Sequence, residues 1–307
     1  MEKSEATVRR WAKEKLGYRC LKQTVRPTVS DDNRAKRRKM ARSVVGDEVP
    51  TKNHLHQDEK WFKVNTRRRL RKVRKSDKAG AKKVIYAHSR NHNTKVMFTG
   101  TAGVGPDGKP IKLHFKWVCK KRISKRKSKY HEKHDVYYES TTMNSEYYKK
   151  TLHEIGKAIR RKWTELGYAT SRVKLQIDSA GGHGLARGHG RFEELASMMH
   201  ENYNVELVQQ PGNSPMFYIL DLAVWKSTEK FVDKMDTGER QREPELVKTV
   251  KKAWRQLPPV KILEAFEMRR DVAHETLETN GWCPNEGKGR GGAKRVHEDS
   301  AYAELRD

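Results

Sequence analysis

Asp58, Asp178 and Asp221 each stand in a short neighbourhood suited to metal chemistry. Asp58 lies in His54-Leu55-His56-Gln57-Asp58-Glu59-Lys60-Trp61-Phe62. Asp178 closes the run Val173-Lys174-Leu175-Gln176-Ile177 and is followed by Ser179-Ala180-Gly181-Gly182-His183. Asp221 follows Pro211-Gly212-Asn213-Ser214-Pro215 and falls in the apolar-periodic stretch from Ile219 to Trp225. Three carboxylates delivered by two strands and a helix suit a pair of Mg²⁺ (or Mn²⁺) ions, which take hard oxygen ligands and keep positions open for water and phosphate. Two such ions clamp the attacking and leaving oxygens of a phosphodiester. Glu59 follows Asp58 directly, so on a strand it points to the opposite face and stays outside the set. His183 and Lys60 are expected to support the site, the lysine through a substrate phosphate. Trp61 and Phe62 are expected in the core.

The order of these words carries a resemblance. Asp-Glu-Lys-Trp-Phe at 58–62, Thr94-Lys95-Val96-Met97-Phe98, Asp-x-Ala-x-x-His at 178–183 and Pro-x-x-Ser-Pro before Leu220-Asp221-Leu222 resemble a mariner-like DNA transposase, of the branch with a long gap between its last two aspartates. The resemblance runs from about Val8 to about Gly281, most of the chain. Two positions depart from the family pattern. Ser179 replaces the usual Asn, and Met216 and Tyr218 stand where the family has Asp and Asn in Ser-Pro-Asp-x-Asn. The second change touches the turn that delivers Asp221.

A single aspartate is usually a cap or a surface charge, and the family context reverses that reading for these three. The resemblance implies an α/β, RNase H-like catalytic domain with a mixed five-stranded sheet and flanking helices. A short helical remnant of a helix-turn-helix region is expected to precede it. It implies metal-dependent hydrolysis at transposon ends, two ions per site held by Asp58, Asp178 and Asp221, then strand transfer into target DNA. Partners are expected to be double-stranded DNA, as terminal inverted repeats and target, and a second copy of the chain in a homodimer. The alternative is a catalytically degenerate, transposase-derived DNA-binding protein; a nuclease of the same fold without strand transfer is a third reading.

Charge agrees with a DNA partner. Sixty-seven Lys and Arg against 39 Asp and Glu give +28 over 307 residues and a pI near 10.0, an electrostatic footprint for polyanions. Arg67, Arg68, Arg69, Arg71 and Lys72, with Arg9 and Arg10, are the expected DNA contacts. The runs Arg34–Lys39, Arg67–Lys75 and Lys120–Lys129 can serve phosphate contact or nuclear import, and the expected compartment is the nucleus. No long apolar run suggests a membrane partner. Cys20, Cys119 and Cys283 are far apart, which argues against a zinc ribbon or a disulfide framework.

Four segments must position the acids. Residues 1–50 read as a basic helical arm with part of a helix-turn-helix region, Thr7 capping a helix through Trp11 and Leu16 that ends at Gly17. Residues 51–240 form the catalytic domain, with a basic insertion at 120–142 that in the family reaches the second subunit and the DNA. C-terminal helices occupy 241–282, and a Gly/Arg-rich tail expected to be disordered takes 283–307. Within the domain, Lys95–Val104 reads as a strand, turning through Gly105-Pro106-Asp107-Gly108 into an alternating strand with Ile111, Leu113, Phe115 and Trp117 on one face. Val173–Ile177 and Val205–Val208 read as further strands. Tyr148, Leu152, Ile155, Ile159, Trp163 and Leu166 mark a long amphipathic helix, Phe192–Tyr203 a second, and Leu220–Met235 a third capped by Ser214 with Pro215 at its first position.

Overall fold

The computed structural model describes residues 29–46, 51–63, 94–178, 191–235 and 242–282, together with Thr7, Trp11, Glu14 and Lys15. The chain divides into a unit Met1–Ser30 and a unit Asp31–Asp307. In the first, those four residues are helical, so Thr7 lies within the helix and not at its cap. Arg9, Arg10, Leu16 and Gly17 lie outside the described residues, as do residues 64–93, 179–190 and 283–307.

The second unit opens with helix α1 (Asp31–Val45) and is built on a five-stranded sheet. Its strands are β1 (His54–Lys63), β2 (Lys95–Val104), β3 (Pro110–Trp117), β6 (Val173–Ile177) and β7 (Val205–Gln209), in spatial order β3-β2-β1-β6-β7. β2 runs antiparallel to β1 and β3, while β6 is parallel to both β1 and β7. Parallel neighbours need crossovers, and α2 (Ser145–Glu165) and α3 (Arg191–Tyr203) supply them.

Helix α2 starts where Asn144 accepts a hydrogen bond from the Tyr147 amide at 2.8 Å, a side-chain cap. Tyr148, Leu152, Ile155, Ile159 and Trp163 follow at three- and four-residue spacing and are fully buried with Leu55, Val173, Leu175 and Ile177. Each such burial is worth about 1.5–3 kcal/mol. The other face of the sheet (Phe62, Val96, Phe98, Ala102 and Val104) is covered by C-terminal helices. These are a π-helical turn Leu220–Val224 running into α4 (Trp225–Met235), then α5 (Glu243–Gln256) and α6 (Val260–Glu278).

With both faces covered, strand β1 is buried from His54 through Asp58 even though most of those residues are polar. Burying polar groups costs free energy unless they are hydrogen-bonded, so this strand is built for something besides packing.

Strand β3 departs from the alternation its sequence shows. A β-bulge lies where Thr101 pairs His114 and Ala102 pairs Lys112. Ile111 and Leu113 therefore join the α2 side, and Phe115 and Trp117 the opposite side. An extra residue in one strand reverses the faces beyond it. Lys112 gains a use from this: its Nζ donates to the Trp254, Arg255 and Leu257 carbonyls at 2.9, 3.0 and 2.8 Å. A cation at a helix C-terminus answers both the free carbonyls and the dipole.

The basic run Arg34–Lys39 forms part of α1 and is largely structural. Arg37 is 1% exposed, Arg38 donates to the Asn280 carbonyl at 3.1 Å, and Arg34 stacks 5.2 Å over the Trp282 ring. The insertion at 120–142 contains an antiparallel ribbon of β4 (Cys119–Ile123) and β5 (Val136–Ser140), with exposed Ile123, Tyr130, Val136 and Tyr138. Among the described residues no helix is long and apolar enough to cross a membrane.

Candidate active site

Strands β1 and β6 pair as His54↔Lys174, Leu55↔Leu175 and His56↔Gln176. The same register carried two residues further sets Asp58 beside Asp178, just past the end of the β1–β6 ladder, while β1 runs on beside β2. Neighbouring strands lie about 4.8 Å apart. Side chains alternate along β1. Leu55 and Gln57 face α2, the latter accepting from the Tyr148 hydroxyl at 2.9 Å. Glu59 shares that face, accepting from Gln57 Nε2 at 2.6 Å. His56, Asp58 and Phe62 face the C-terminal helices. The expected exclusion of Glu59 follows from this alternation.

Asp221 enters from the first turn of the C-terminal helices, within the π-helical segment; such turns are frequent at functional sites. Four residues later on the same helical face, the Trp225 indole donates from Nε1 to Asp58 Oδ2 at 2.7 Å. One helix thus presents one acid and orients another. Room for the indole comes from Gly100, which pairs with Asp58 across β2. A Cβ there would stand 2.6 Å from Trp225 Cη2.

The acids act on one another electrostatically. Burial, then the charges of Asp221 and Glu59, raise the Asp58 carboxyl well above the ordinary range; the Trp225 hydrogen bond opposes this and Asp178 adds to it. Asp221 reaches solvent, but the protein crowding it raises its pKa, with Lys60 pulling the other way and Asp178 reinforcing the rise. Lys60 Nζ lies 3.5 Å from Glu229 Oε1, so it brings positive charge to the Asp221 side of the site. Among the described residues no three His, Cys, Asp or Glu side chains gather tightly enough to hold an ion. The donor chemistry nevertheless fits Mg²⁺ or Mn²⁺: these are hard carboxylate oxygens whose mutual repulsion a divalent cation would relieve.

Below the acids lies a buried polar layer. The His54 and His56 rings stack at 4.6 Å. Burial first, then His54 and Arg269, lower the His56 pKa well below its usual value, so this imidazole is neutral. Arg269 donates to Gln176 Oε1 at 3.0 Å, and burial pushes its pKa down to about 9. Gln176 in turn donates to the Phe217 carbonyl at 3.1 Å, tying β6 to the turn before Asp221.

That turn is held from the other side by Arg37, whose Nε donates to Ser214 Oγ at 3.0 Å and whose Nη2 donates to the Asn213 carbonyl. Asn213 takes a left-handed φ of 53°, which Asn tolerates better than most residues. Ser214 does not cap the helix as its sequence position suggests. It precedes a 3₁₀ turn (Pro215–Phe217) and makes no side-chain cap bond, because its hydroxyl is engaged by Arg37 and the Gly212 carbonyl.

The structure thus brings Asp58, Asp178, Asp221 and Lys60 together just beyond the end of the β1–β6 ladder. Phe62 is core, as expected, while Trp61 is half-buried beneath the Lys95 ammonium, 4.7 Å from the ring centre. His183, Arg67, Arg68, Arg69, Arg71 and Lys72 lie outside the described residues. Sequence reasoning missed Trp225, Tyr218, Gln176 and Arg37. The one available signal was the four-residue spacing of Asp221 and Trp225.

No protein-family model and no curated protein matches this chain. Solved structures do. The catalytic domain of Mos1 mariner transposase superposes with a TM-score of 0.54 at 15% identity, covering 84% of this chain and 98% of that one. The Mos1 strand transfer complex gives 0.60 at 15% identity, covering 91% and 70%. A Mos1 paired-end complex with Mg gives 0.61 at 15% identity, covering 91% and 71%. The likeness establishes the fold: this unit has the RNase H-like architecture of a mariner transposase catalytic domain.

Proposed function

We propose that the chain is a metal-dependent DNA transposase that hydrolyses phosphodiesters at transposon ends and joins the freed 3′-hydroxyl to target DNA. The observation that carries this reading is the electrostatic proximity of Asp58, Asp178 and Asp221, just beyond the last paired residues of the parallel strands β1 and β6. The three carboxylates would hold two Mg²⁺ or Mn²⁺ ions. Bound there, the ions supply Lewis-acid stabilisation of phosphoryl charge and an acidified water. The chain's own residues do the rest. Trp225 fixes one oxygen of Asp58, and Lys60 offers a cation to an incoming phosphate. Phe62, Val224 and Trp225 form a buried apolar floor beside these groups. DNA duplexes as substrate, pairing of two copies through the 120–142 ribbon, and action in the nucleus complete the proposal. The names of the Mos1 complexes support it by describing paired ends and strand transfer in that protein.

The test is cleavage of a duplex carrying the repeats that flank this gene, with Mg²⁺ or Mn²⁺. Asp58→Ala, Asp178→Ala and Asp221→Ala should each drop cleavage to background and leave DNA binding nearly intact, because each removes a ligand and none removes basic surface. Full activity in Asp221→Ala would show that the wrong third acid has been chosen, with Glu229 or Asp233 next. The changes at Met216 and Tyr218 favour a second reading, a DNA-binding derivative that has lost catalysis. It predicts that the unaltered chain binds the duplex and never cuts it.

A further inference from the structure

Tyr218 stands where the family resemblance would place an asparagine, and its surroundings give it a distinct use. Its ring is 1% exposed. Its hydroxyl donates to the Gln57 carbonyl and to the Gln176 carbonyl, the second at 3.1 Å, one proton shared between two acceptors. Gln57 immediately precedes Asp58, and Gln176 stands two residues before Asp178. The β1–β6 pairing ends at His56↔Gln176, so the phenol bridges the two strands at the end of their ladder, just short of the acids. The Tyr218 carbonyl accepts from the Leu222 amide at 2.9 Å, the bond that starts the helical turn carrying Asp221. Its ring meets His56 edge-on at 5.2 Å.

We infer that Tyr218 is a positioning residue that fixes the spacing of Asp58, Asp178 and Asp221: its hydroxyl fastens β1 to β6 where their ladder ends, and its main-chain carbonyl anchors the helix start. One residue thus bonds both strands next to the acids and begins the segment bearing the third. Burial first, then the charges of Asp58 and Asp178, hold the phenol protonated, which keeps it a donor. The inference rests on the proposed reading of the three aspartates as metal ligands. It also gives the change from asparagine a purpose: the turn is held by different residues. Met216 is buried with Met40, Ala41, Val44, Phe217 and Ala273, and Arg37 closes the far side.

The experiment measures Mn²⁺ affinity of the full chain by titration calorimetry, with thermal melts in chelator alongside. Tyr218→Phe keeps the ring and removes only the bridge, so it should weaken Mn²⁺ binding at least tenfold. Val232→Ala, a buried substitution on α4 in the same apolar core that removes none of the bridge's hydrogen bonds, should lower the melting temperature but leave Mn²⁺ affinity within twofold. That contrast separates positioning from general loss of stability, and measurement at low temperature keeps both variants folded. Unchanged Mn²⁺ affinity in Tyr218→Phe, or an equal loss in Val232→Ala, overturns the bridge. Absence of Mn²⁺ binding by the unaltered chain overturns instead the reading of the aspartates, and the bridge with it.

Discussion

Burial, and then the charges of Asp221 and Glu59, lift the Asp58 carboxyl well above the ordinary carboxylate range, against the pull of the Trp225 indole. A carboxyl with a higher pKa in the fold than in the unfolded chain keeps its proton longer when folded. Stability is then intact below the unfolded value and falls as pH climbs through the window up to the folded value. Asp58→Asn removes that loss while its amide oxygen can still accept from Trp225. In chelator the variant should match the unaltered chain in acid and exceed it near neutral pH, by about 0.5–2 kcal/mol, the usual scale when a strained functional group is relieved. Cleavage should vanish, and Mn²⁺ should raise the melting temperature of the unaltered chain far more than that of the variant. Thermal melts across pH check this; an Asn variant less stable in chelator at pH 7 would contradict it. The three aspartates stood out in the sequence because their flanking words are short and local. Trp225 did not, because an indole in an apolar helical stripe looks like core until its partner from a distant strand is known.

At the scale of elements, the site depends on how closely helix α4 approaches strand β2, and Gly100 sets that approach. A methyl group there would stand 2.6 Å from Trp225 Cη2 and 3.3 Å from Phe115 Cδ2. Overpacking of this kind costs about 1–3 kcal/mol, and displacing the indole would also release Asp58. Gly100→Ala should therefore lower the melting temperature and reduce metal-dependent cleavage together. Gly212→Ala serves as the control, since a Cβ there meets only the Asn33 side chain, at 3.9 Å. It should melt and cleave as the unaltered chain does; equal behaviour of the two variants would show that β2 and α4 are not in tight register. Helices α2 and α3 were readable from periodicity because each buries a regular face, and strands β2, β6 and β7 from short apolar-rich runs bounded by turn signals. The bulge in β3 was not, since one extra residue reverses the faces without altering the apolar pattern. Arg37 was not, since a cation in a basic run gives no sign that it will be buried against a turn 177 residues away. The changes at Met216 and Tyr218 read as losses for a similar reason: what replaces the missing polar bonds comes from α1, β1 and β6.

Across the whole molecule the excess of 28 positive charges suits a polyanionic partner, and the structure narrows where it would bind. Many described cations are already engaged: Lys116 with Glu154 at 2.6 Å, Lys149 with Glu194 at 2.6 Å, Arg172 with Glu206 at 3.5 Å, and Arg37 in the turn. In the loop joining β4 to β5, Lys125, Arg126, Lys127 and Lys129 are all exposed, and of these Lys127 pairs with Glu132 at 2.9 Å. The run Arg67–Lys75, outside the described residues, follows the β1 strand that carries Asp58. Each phosphate neutralised by a cation releases counterions and contributes about −0.9 to the slope of log K against log salt on duplex DNA. Replacing Arg67, Arg68, Arg69, Arg71 and Lys72 by Gln should therefore flatten the slope by about 0.9 for every phosphate that is no longer neutralised. Phosphate contacts carry no sequence information, so the flattening should be the same on repeat-bearing and scrambled duplexes. Binding titrations from low to physiological salt measure it. A slope unchanged by the five substitutions, but flattened by Gln at Lys125, Arg126 and Lys127, would move the backbone contacts to the ribbon. The DNA would then track along the edge strand β3 and its extension, leaving β1 to contribute acids alone.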